Sequence, residues 1–369
     1  MACIPPFAGI AAPRRRLLLL ASILLSTHCG HQRPDEATTD GSWLDLVPAF
    51  GGRQMAIDSI ARVGGNYWIA DAEGDELVRL DSEGRVVDRW SHLGPASVPV
   101  DEPLHLGQVD EGVILVYLGA KKVAITMNEQ GQILHAFSLE DSFGFDVTSA
   151  DRLWVGRPWS GELVATYDSD GRELGGVGAL KTFDEAYPES AEAAPVAPAL
   201  RDPFLFLNLV HIEADDRGGA FLSFRFAPIV QRYDRDGRLA WETRLRGREV
   251  EDLEELFLGG HQSREKGNAV RLELYGMAAS VITLGAAFDP ATEQLYVLLA
   301  NQAIVPMDGD GHQRPTLLPR FASVEAERHP FLLAIHTLRP GVMLFTNPIL
   351  ATSWNAAAPS DLMNWPSGE

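Results

Sequence analysis

The chain has 369 residues, of which 46% are hydrophobic and 22% are charged, a composition typical of a globular protein with a sizeable core. Its formal net charge is −20, and it becomes −23 without residues 1–28, whose charged side chains are three arginines. Such a surface repels phosphate backbones and anionic membranes, which argues against nucleic-acid binding. The charge favours a protein partner or a neutral or cationic ligand.

The N-terminal residues 1–28 have the pattern of an export signal. Arg14, Arg15 and Arg16 precede a nine-residue apolar run from Leu17 to Leu25, which is too short to span a bilayer. We therefore expect export to the bacterial cell envelope, with the folded part in the periplasm or on an extracytoplasmic surface.

The cysteines point to the same compartment. Cys29 follows the apolar run in the sequence Ser-Thr-His-Cys, which resembles the lipobox of bacterial lipoproteins, with His28 where that family has a small residue. The resemblance implies lipidation of Cys29 and a membrane anchor. Cys3 is the only other cysteine, so the folded part has no disulfide and no thiol or cysteine-based zinc site. Residues 29–41 are polar and are predicted to form a tether.

The stretch from Gly64 to Trp90 predicts one small antiparallel sheet. Three short segments rich in apolar residues are separated by turns that contain Gly and Asp. The predicted strands are Asn66–Asp71, Glu76–Asp81 and Arg85–Trp90.

Five turns of one kind recur along the chain. An Asp or Asn that opens such a turn accepts hydrogen bonds from its own backbone, and the closing Gly adopts positive φ. An EF-hand calcium loop also contains D-x-D-G, but its further acidic positions are absent, so we interpret the segments as strand-to-strand turns. They are DSEG at 81–84, NEQG at 128–131, DSDG at 168–171, DRDG at 234–237 and DGDG at 308–311.

A partial unit at the C-terminus suggests how the sheets are arranged. Strands are predicted at Phe331–Leu338, Val342–Thr346 and Ile349–Trp354, and the segment Ser42–Phe50 can supply the missing fourth strand. We therefore predict an all-β fold over residues 42–369, a six-bladed β-propeller with four-stranded blades whose ring is closed by the N-terminal strand.

The first unit also carries a family resemblance. Its sequence GGNYWIADAEGDELVRLDSEGRVV resembles a repeat of the NHL-type six-bladed β-propellers, which read G-x-aromatic-V-A-D, then an apolar strand, then D-x-x-G. The resemblance covers about Ser42 to Trp354 and is weaker in the last three units. It implies an architecture and not an activity, because propellers include enzymes, scaffolds and receptors.

Two insertions interrupt the repeats. Residues 180–203 contain four prolines and are predicted to be an irregular loop. Residues 247–276 contain a predicted helix, Glu249–Leu258, with Val250, Leu253, Leu256 and Phe257 on one face. Either insertion covers the mouth of the central channel or packs on the blades as a surface excursion.

Polar residues on the predicted innermost strands suggest a metal site as an alternative function. His105, His211 and His336 fall in the second, fourth and sixth units. Asp58, Asp146 and Asn208 are further polar residues on the predicted innermost strands, and either aspartate could complete the site. Three imidazoles on one ring can bind a divalent metal, which would fit a lactonase-like, metal-dependent hydrolase. The ligand pattern of the calcium-dependent lactonases is absent, and packed histidines are the simpler interpretation.

The aromatic residues give the last site prediction. Trp68, Trp154, Tyr117 and Tyr296 are expected in the core, whereas Trp159 is expected to be exposed in the loop from Arg157 to Gly161. No nucleophile or phosphate-binding motif is present. The sequence therefore favours a non-catalytic binding or scaffold module without a cofactor, with Arg157 and Trp159 as candidate binding residues.

Overall fold

The computed structural model of the chain describes residues 42–45, 57–72, 74–81, 85–139, 145–148, 152–188, 207–215, 217–258, 271–274, 277–290, 292–317, 334–339, 342–347 and 352–355. These residues form small antiparallel sheets and two short helices. The export segment, Cys29 and the predicted tether lie outside the described residues.

Five of the sheets have four antiparallel strands, and we call them blades. In blades 1 to 4 the strands are consecutive in the chain, whereas the terminal blade joins three C-terminal strands to an N-terminal one. Their strands are β2 (Ile57–Val63), β3 (Asn66–Asp71), β4 (Glu76–Leu80) and β5 (Val86–Trp90) in blade 1; β8 (Pro103–Asp110), β9 (Val113–Leu118), β10 (Val123–Asn128) and β11 (Ile133–Ser138) in blade 2; β12 (Phe145–Thr148), β13 (Arg152–Gly156), β14 (Glu162–Asp168) and β15 (Glu173–Ala179) in blade 3; β16 (Val210–Ala214), β17 (Ala220–Phe224), β18 (Ile229–Tyr233) and β19 (Leu239–Arg244) in blade 4; and β25 (Ala334–Arg339), β26 (Val342–Asn347), β27 (Thr352–Asn355) and β1 (Ser42–Asp45) in the terminal blade.

The fifth repeat departs from the prediction. It forms a three-stranded sheet of β22 (Thr283–Asp289), β23 (Gln294–Leu299) and β24 (Ile304–Met307). After its turn, isolated bridges pair Met307 with Gln313 and Ile304 with Leu317. Pro315 lies between the two bridges and has no N–H to donate, which disfavours a regular fourth strand. The described residues thus form five four-stranded blades, and the prediction of six was wrong.

The connections contain further short elements. The helices are α1 (Phe183–Ala186) and α2 (Arg248–Leu258), and the second confirms the predicted helix. Two two-stranded ribbons were not predicted from the sequence. They are β6 (His92–Leu93) with β7 (Val98–Pro99) and β20 (Arg271–Leu274) with β21 (Met277–Ser280).

Four of the five recurrent turns lie among the described residues, and each of these four contacts the preceding blade, whereas residues 82–84 of the first turn lie outside the described residues. In the third turn, Asp168 Oδ1 accepts hydrogen bonds from the backbone N–H groups of Asp170 and Arg172, as expected for a turn. The closing glycine has positive φ and lies against the fourth strand of the preceding blade. The contacts are Gly131 with Trp90, Gly171 with Phe137, Gly237 with Val177 and Gly311 with Trp241.

The apolar core lies between adjacent sheets. Trp68 of blade 1 packs in one cluster with Leu106 and Val116 of blade 2, and a larger cluster extends from blade 3 to the three-stranded sheet. Trp68, Trp154 and Tyr296 are fully buried, which confirms the sequence prediction for the aromatic residues of the second strands. Stacked sheets of this kind bury both of their faces.

The chain direction defines two ends of the molecule. The first strands contact one another in the order β2, β8, β12, β16, β22 and β25, and β25 contacts β2. The end at which these strands begin carries the segments between sheets and the loops between second and third strands. We call it the connection face. The opposite end carries the recurrent turns, and we call it the turn face.

Candidate functional site on the connection face

The first insertion is tied to blade 4 at its base. Asn208 is fully buried, accepts a hydrogen bond from the Lys181 N–H at 2.7 Å and donates one to the Lys181 carbonyl at 3.1 Å. A single side chain therefore holds the two ends of the insertion together. Asn208 precedes β16, so it is not on the innermost strand as predicted.

Helix α1 lies near the start of this insertion, where an irregular loop was predicted. Thr182 caps the helix, because its hydroxyl accepts from the Glu185 N–H while Glu185 accepts from the Thr182 N–H. These hydrogen bonds lower the pKa of Glu185. The Thr-Phe-Asp-Glu sequence is a capping-box pattern, so this helix could have been found from the sequence.

Helix α2 covers blade 4 through an aromatic cluster. Phe257 stacks on Tyr187 with ring centroids 5.3 Å apart and lies 6.1 Å from Phe226. The Tyr187 hydroxyl donates to the Phe226 carbonyl, and burial raises its pKa well above the ordinary value. Asn301 donates to the Glu249 carbonyl at 2.8 Å and fixes the start of the helix. The described parts of both insertions are thus packed onto the sheets.

The candidate residue Arg157 is held within blade 3. Its guanidinium forms two hydrogen bonds to Glu173, at 2.8 and 3.3 Å, and one to the Tyr167 hydroxyl at 2.9 Å. Burial is the largest single effect on the pKa of Arg157 and lowers it, but the hydrogen bond to Glu173 and the electrostatic attraction of Tyr167, Glu173 and Glu162 together raise the pKa above its ordinary value. Arg157 therefore fixes the conformation of its own loop, and its head group is largely engaged.

The other candidate, Trp159, is less exposed than predicted. It lies in a short 3-10 turn, Pro158–Ser160, and is half-buried against the larger core cluster. Trp159 is more exposed than the aromatic residues predicted in the core, as expected, but it is only partly exposed because the turn packs against the sheet through the buried Pro158. Trp159 still presents part of its surface at the connection face.

The predicted metal site of three histidines includes His336, whose side chain the structure does not describe, so this site stays a prediction. Strand β12 lies between β8, which carries His105, and β16, which carries His211, in the order of contacting first strands. The side chains of Asp58, Asp146 and His336 are outside those that the structure describes. Among the remaining residues, no group of three or more His, Cys, Asp or Glu side chains could hold a metal ion.

Blade 4 and the three-stranded sheet are joined by polar contacts from β16. His211 Nε2 lies 3.1 Å from the Thr283 carbonyl oxygen, and Glu213 accepts from the Phe288 N–H at 2.8 Å. Burial, followed by the positive charge of Arg225, lowers the pKa of His211 well below its ordinary value. His211 is therefore a neutral imidazole at pH 7, next to a guanidinium.

Solved structures resemble this arrangement of sheets. The structure of virginiamycin B lyase from Staphylococcus aureus superimposes with a TM-score of 0.50 at 9% identity, over 86% of this chain and 98% of that one. The chain is a β-propeller. A streptogramin B lyase (TM-score 0.45, 10% identity, 82% of this chain and 94% of that one) and U3-55K (0.47, 9%, 84% and 93%) also match. No protein-family model and no curated protein matches the sequence.

The propeller fold explains why these features share one end of the molecule. Segments that link blades and loops that follow second strands are at the same end of every blade. Both insertions, the loop that begins at Arg157, and the segment that begins at Arg225 are of these two kinds. Within the described residues, no helix is long and apolar enough to cross a membrane.

Proposed function

We propose that this chain is a non-catalytic binding module whose partner contacts the connection face of the propeller. The observation that carries the proposal is that α1, α2 and the Arg157 loop are each fixed by hydrogen bonds or aromatic contacts at that face. Rigid, irregular segments on a stable scaffold are the usual location of binding residues. Arg157 acts here by holding the loop, and Trp159 supplies contact surface.

The net charge of −20 sets the class of partner. It disfavours nucleic acids and other polyanions at long range and favours a protein surface or a neutral or cationic ligand. Metal analysis of the purified protein, with a screen of lactone and ester hydrolysis, tests the absence of catalysis. Stoichiometric metal that is lost together with activity in His211→Ala would overturn the proposal.

We further propose that the protein is exported and attached to a bacterial membrane through a lipid on Cys29. Support comes from the basic and apolar N-terminus and from the position of Cys29 four residues after Leu25. Fractionation of cells that produce the wild type or Cys29→Ala tests this. The wild type should sediment with membranes and the variant should be soluble; equal distribution of the two would remove the anchor.

We also propose that the five blades and the three-stranded sheet form one closed ring of the NHL type. The pairing of Ser42–Asp45 with Thr352–Asn355 supports a closure made by the two ends of the folded part. Deletion of Ser42–Phe50 should then lower the thermal midpoint clearly. An unchanged midpoint would show that the N-terminal strand does not close the ring.

A further inference from the structure

Exposed apolar side chains are concentrated at one end of the molecule. In the described part of the chain, six large apolar side chains are exposed, and five of them lie two or three positions after the closing glycine of a recurrent turn. The sixth, Leu104, lies near the start of β8, at the connection face. The five therefore share the turn face and the outermost strands of their blades. We call them the apolar rim, and they are Val86, Val87, Leu134, Leu174 and Leu239.

A β-bulge presents one such side chain in each of blades 1 to 4. The pairing of the third and fourth strands shifts by one residue just after the turn. In blade 3, Tyr167 pairs with Glu173 and Thr166 pairs with Gly175, so Leu174 is the extra residue. Bulges re-aim a side chain at sheet edges, so this exposure follows from the repeat itself. The equivalent residues, all apolar and exposed, are Val87, Leu134 and Ala240.

Exposed arginines accompany the apolar rim in three of these blades. Arg85, Arg172 and Arg238 directly follow the closing glycine of their turns. Arg85 and Arg238 pair with carboxylates of their own turns, at 2.7 and 3.5 Å, which partly neutralises the acidic turns. An arginine can lay its aliphatic stem on apolar surface while its guanidinium reaches a polar layer. Basic groups beside exposed apolar side chains are typical of protein surfaces that lie in the interface of a bilayer.

The N-terminal end of the folded part lies at the same end of the molecule. β1 takes the position of a fourth strand in the terminal blade and is antiparallel to β27. Fourth strands begin at the turn face, so Ser42 lies there, at the outer edge of its blade. Ser42 follows Cys29 by 13 positions, which a fully extended chain spans in at most about 45 Å. An anchor at Cys29 therefore brings the turn face to the membrane first.

We propose that the turn face docks on the membrane that holds Cys29, with the apolar rim in the interfacial layer and the neighbouring arginines at the lipid phosphates. The membrane surface is rich in zwitterionic lipid, because the net charge of −20 repels an anionic leaflet. The tether strengthens the contact by raising the effective concentration of the rim at the surface. This inference rests on the proposed lipid anchor and adds an orientation, which leaves the connection face accessible to a partner.

Photo-cross-linking to lipid tests this orientation in the full chain. A photoreactive, apolar amino acid replaces Leu174 on the rim or Leu104, a control with similar exposure of 41% against 50%. Native envelopes that contain either protein are irradiated, and mass spectrometry detects phospholipid adducts. We expect adducts from position 174 and none above background from position 104. Probes at Leu134 and Leu239 should also give adducts, because a flat membrane meets the rim in every blade.

Three outcomes would overturn the inference. They are the absence of lipid adducts from position 174, equal adducts from positions 174 and 104, and adducts of position 174 with protein, including a second copy of this chain, in place of lipid.

Fractionation of the wild type and Cys29→Ala keeps this failure apart from failure of the anchor. A wild type that sediments with membranes but gives no lipid adduct at position 174 would refute the orientation alone. Lipid adducts at position 174 in a protein whose fractionation does not depend on Cys29 would refute the anchor and support the docking surface.

Discussion

The closing glycines of the recurrent turns offer a test with a matched control. Gly311 has a φ of +84°, and a Cβ at this position would lie 2.6 Å from Trp241 Cδ2 on the preceding blade. Gly65 also has a φ of +84°, but a Cβ there would meet no atom within 4 Å. Alanine costs about 1 to 2 kcal/mol in the left-handed region at either site. Only the change at Gly311 adds an overpacking cost of about 1 to 3 kcal/mol.

Gly311→Ala should therefore lower the free energy of unfolding by about 1 to 3 kcal/mol more than Gly65→Ala. Trp241 has little freedom to move away, because its Nε1 donates to the Gly309 carbonyl at 2.9 Å. Urea denaturation, followed by circular dichroism, measures both losses. Equal losses in the two variants would refute the conclusion that the turn glycine is required by contact with the neighbouring blade.

Three other predictions concern the connection face. In the wild type, the neutral imidazole of His211 contributes stability that is present above pH 6.5, its ordinary pKa, and is lost as the pH falls below that value. The free energy of unfolding of His211→Gln should therefore depend less steeply on pH than that of the wild type. An identical slope in the two proteins would contradict the burial of this group. Asn208→Ala should release the two ends of the first insertion and accelerate trypsin cleavage after Lys181, which mass spectrometry measures. An unchanged cleavage rate would show that the Asn208 side chain does not hold these ends together. Tyr187→Phe should lower the free energy of unfolding by about 1 kcal/mol or more, because the Phe226 carbonyl loses its hydrogen-bond donor. An unchanged free energy of unfolding in urea denaturation would show that this hydrogen bond does not stabilise the packing of α2 on blade 4.

Much of the fold could be predicted because its signals are local. The predicted strand Asn66–Asp71 is β3, and the helix predicted at Glu249–Leu258 is α2 with one residue added at its start. The turns were found because a side chain that accepts from its own backbone and a glycine with positive φ leave a four-residue signature. The absence of a regular fourth strand in the fifth repeat also had a local signal, because Pro315 has no N–H to donate. The prediction followed the repeat pattern instead and overlooked this residue.

The candidate site was harder to predict because it depends on strand register. The pairing of β22 with β23 shifts by one residue between Thr283 and Gly285, and a single such shift moves the following side chains to the other face. Five residues separate β16 from β17, so the alignment of His211 with Ser223 could not be read from the sequence. His211 was predicted to act together with histidines of other blades, and the hydrogen bond that the structure gives it runs to the backbone carbonyl of Thr283 in the neighbouring three-stranded sheet, a contact that no side-chain pattern indicates.

The central claim is that a partner binds at the connection face, and site-specific photo-cross-linking tests it most directly. A photoreactive amino acid is placed at Asp252, on the exposed side of α2, or at Asp236, in an exposed recurrent turn on the turn face. Both proteins are irradiated in native envelopes and analysed by mass spectrometry. We expect a specific cross-linked partner from Asp252 and none from Asp236. A partner captured from Asp236 alone, or from both sites equally, would contradict it.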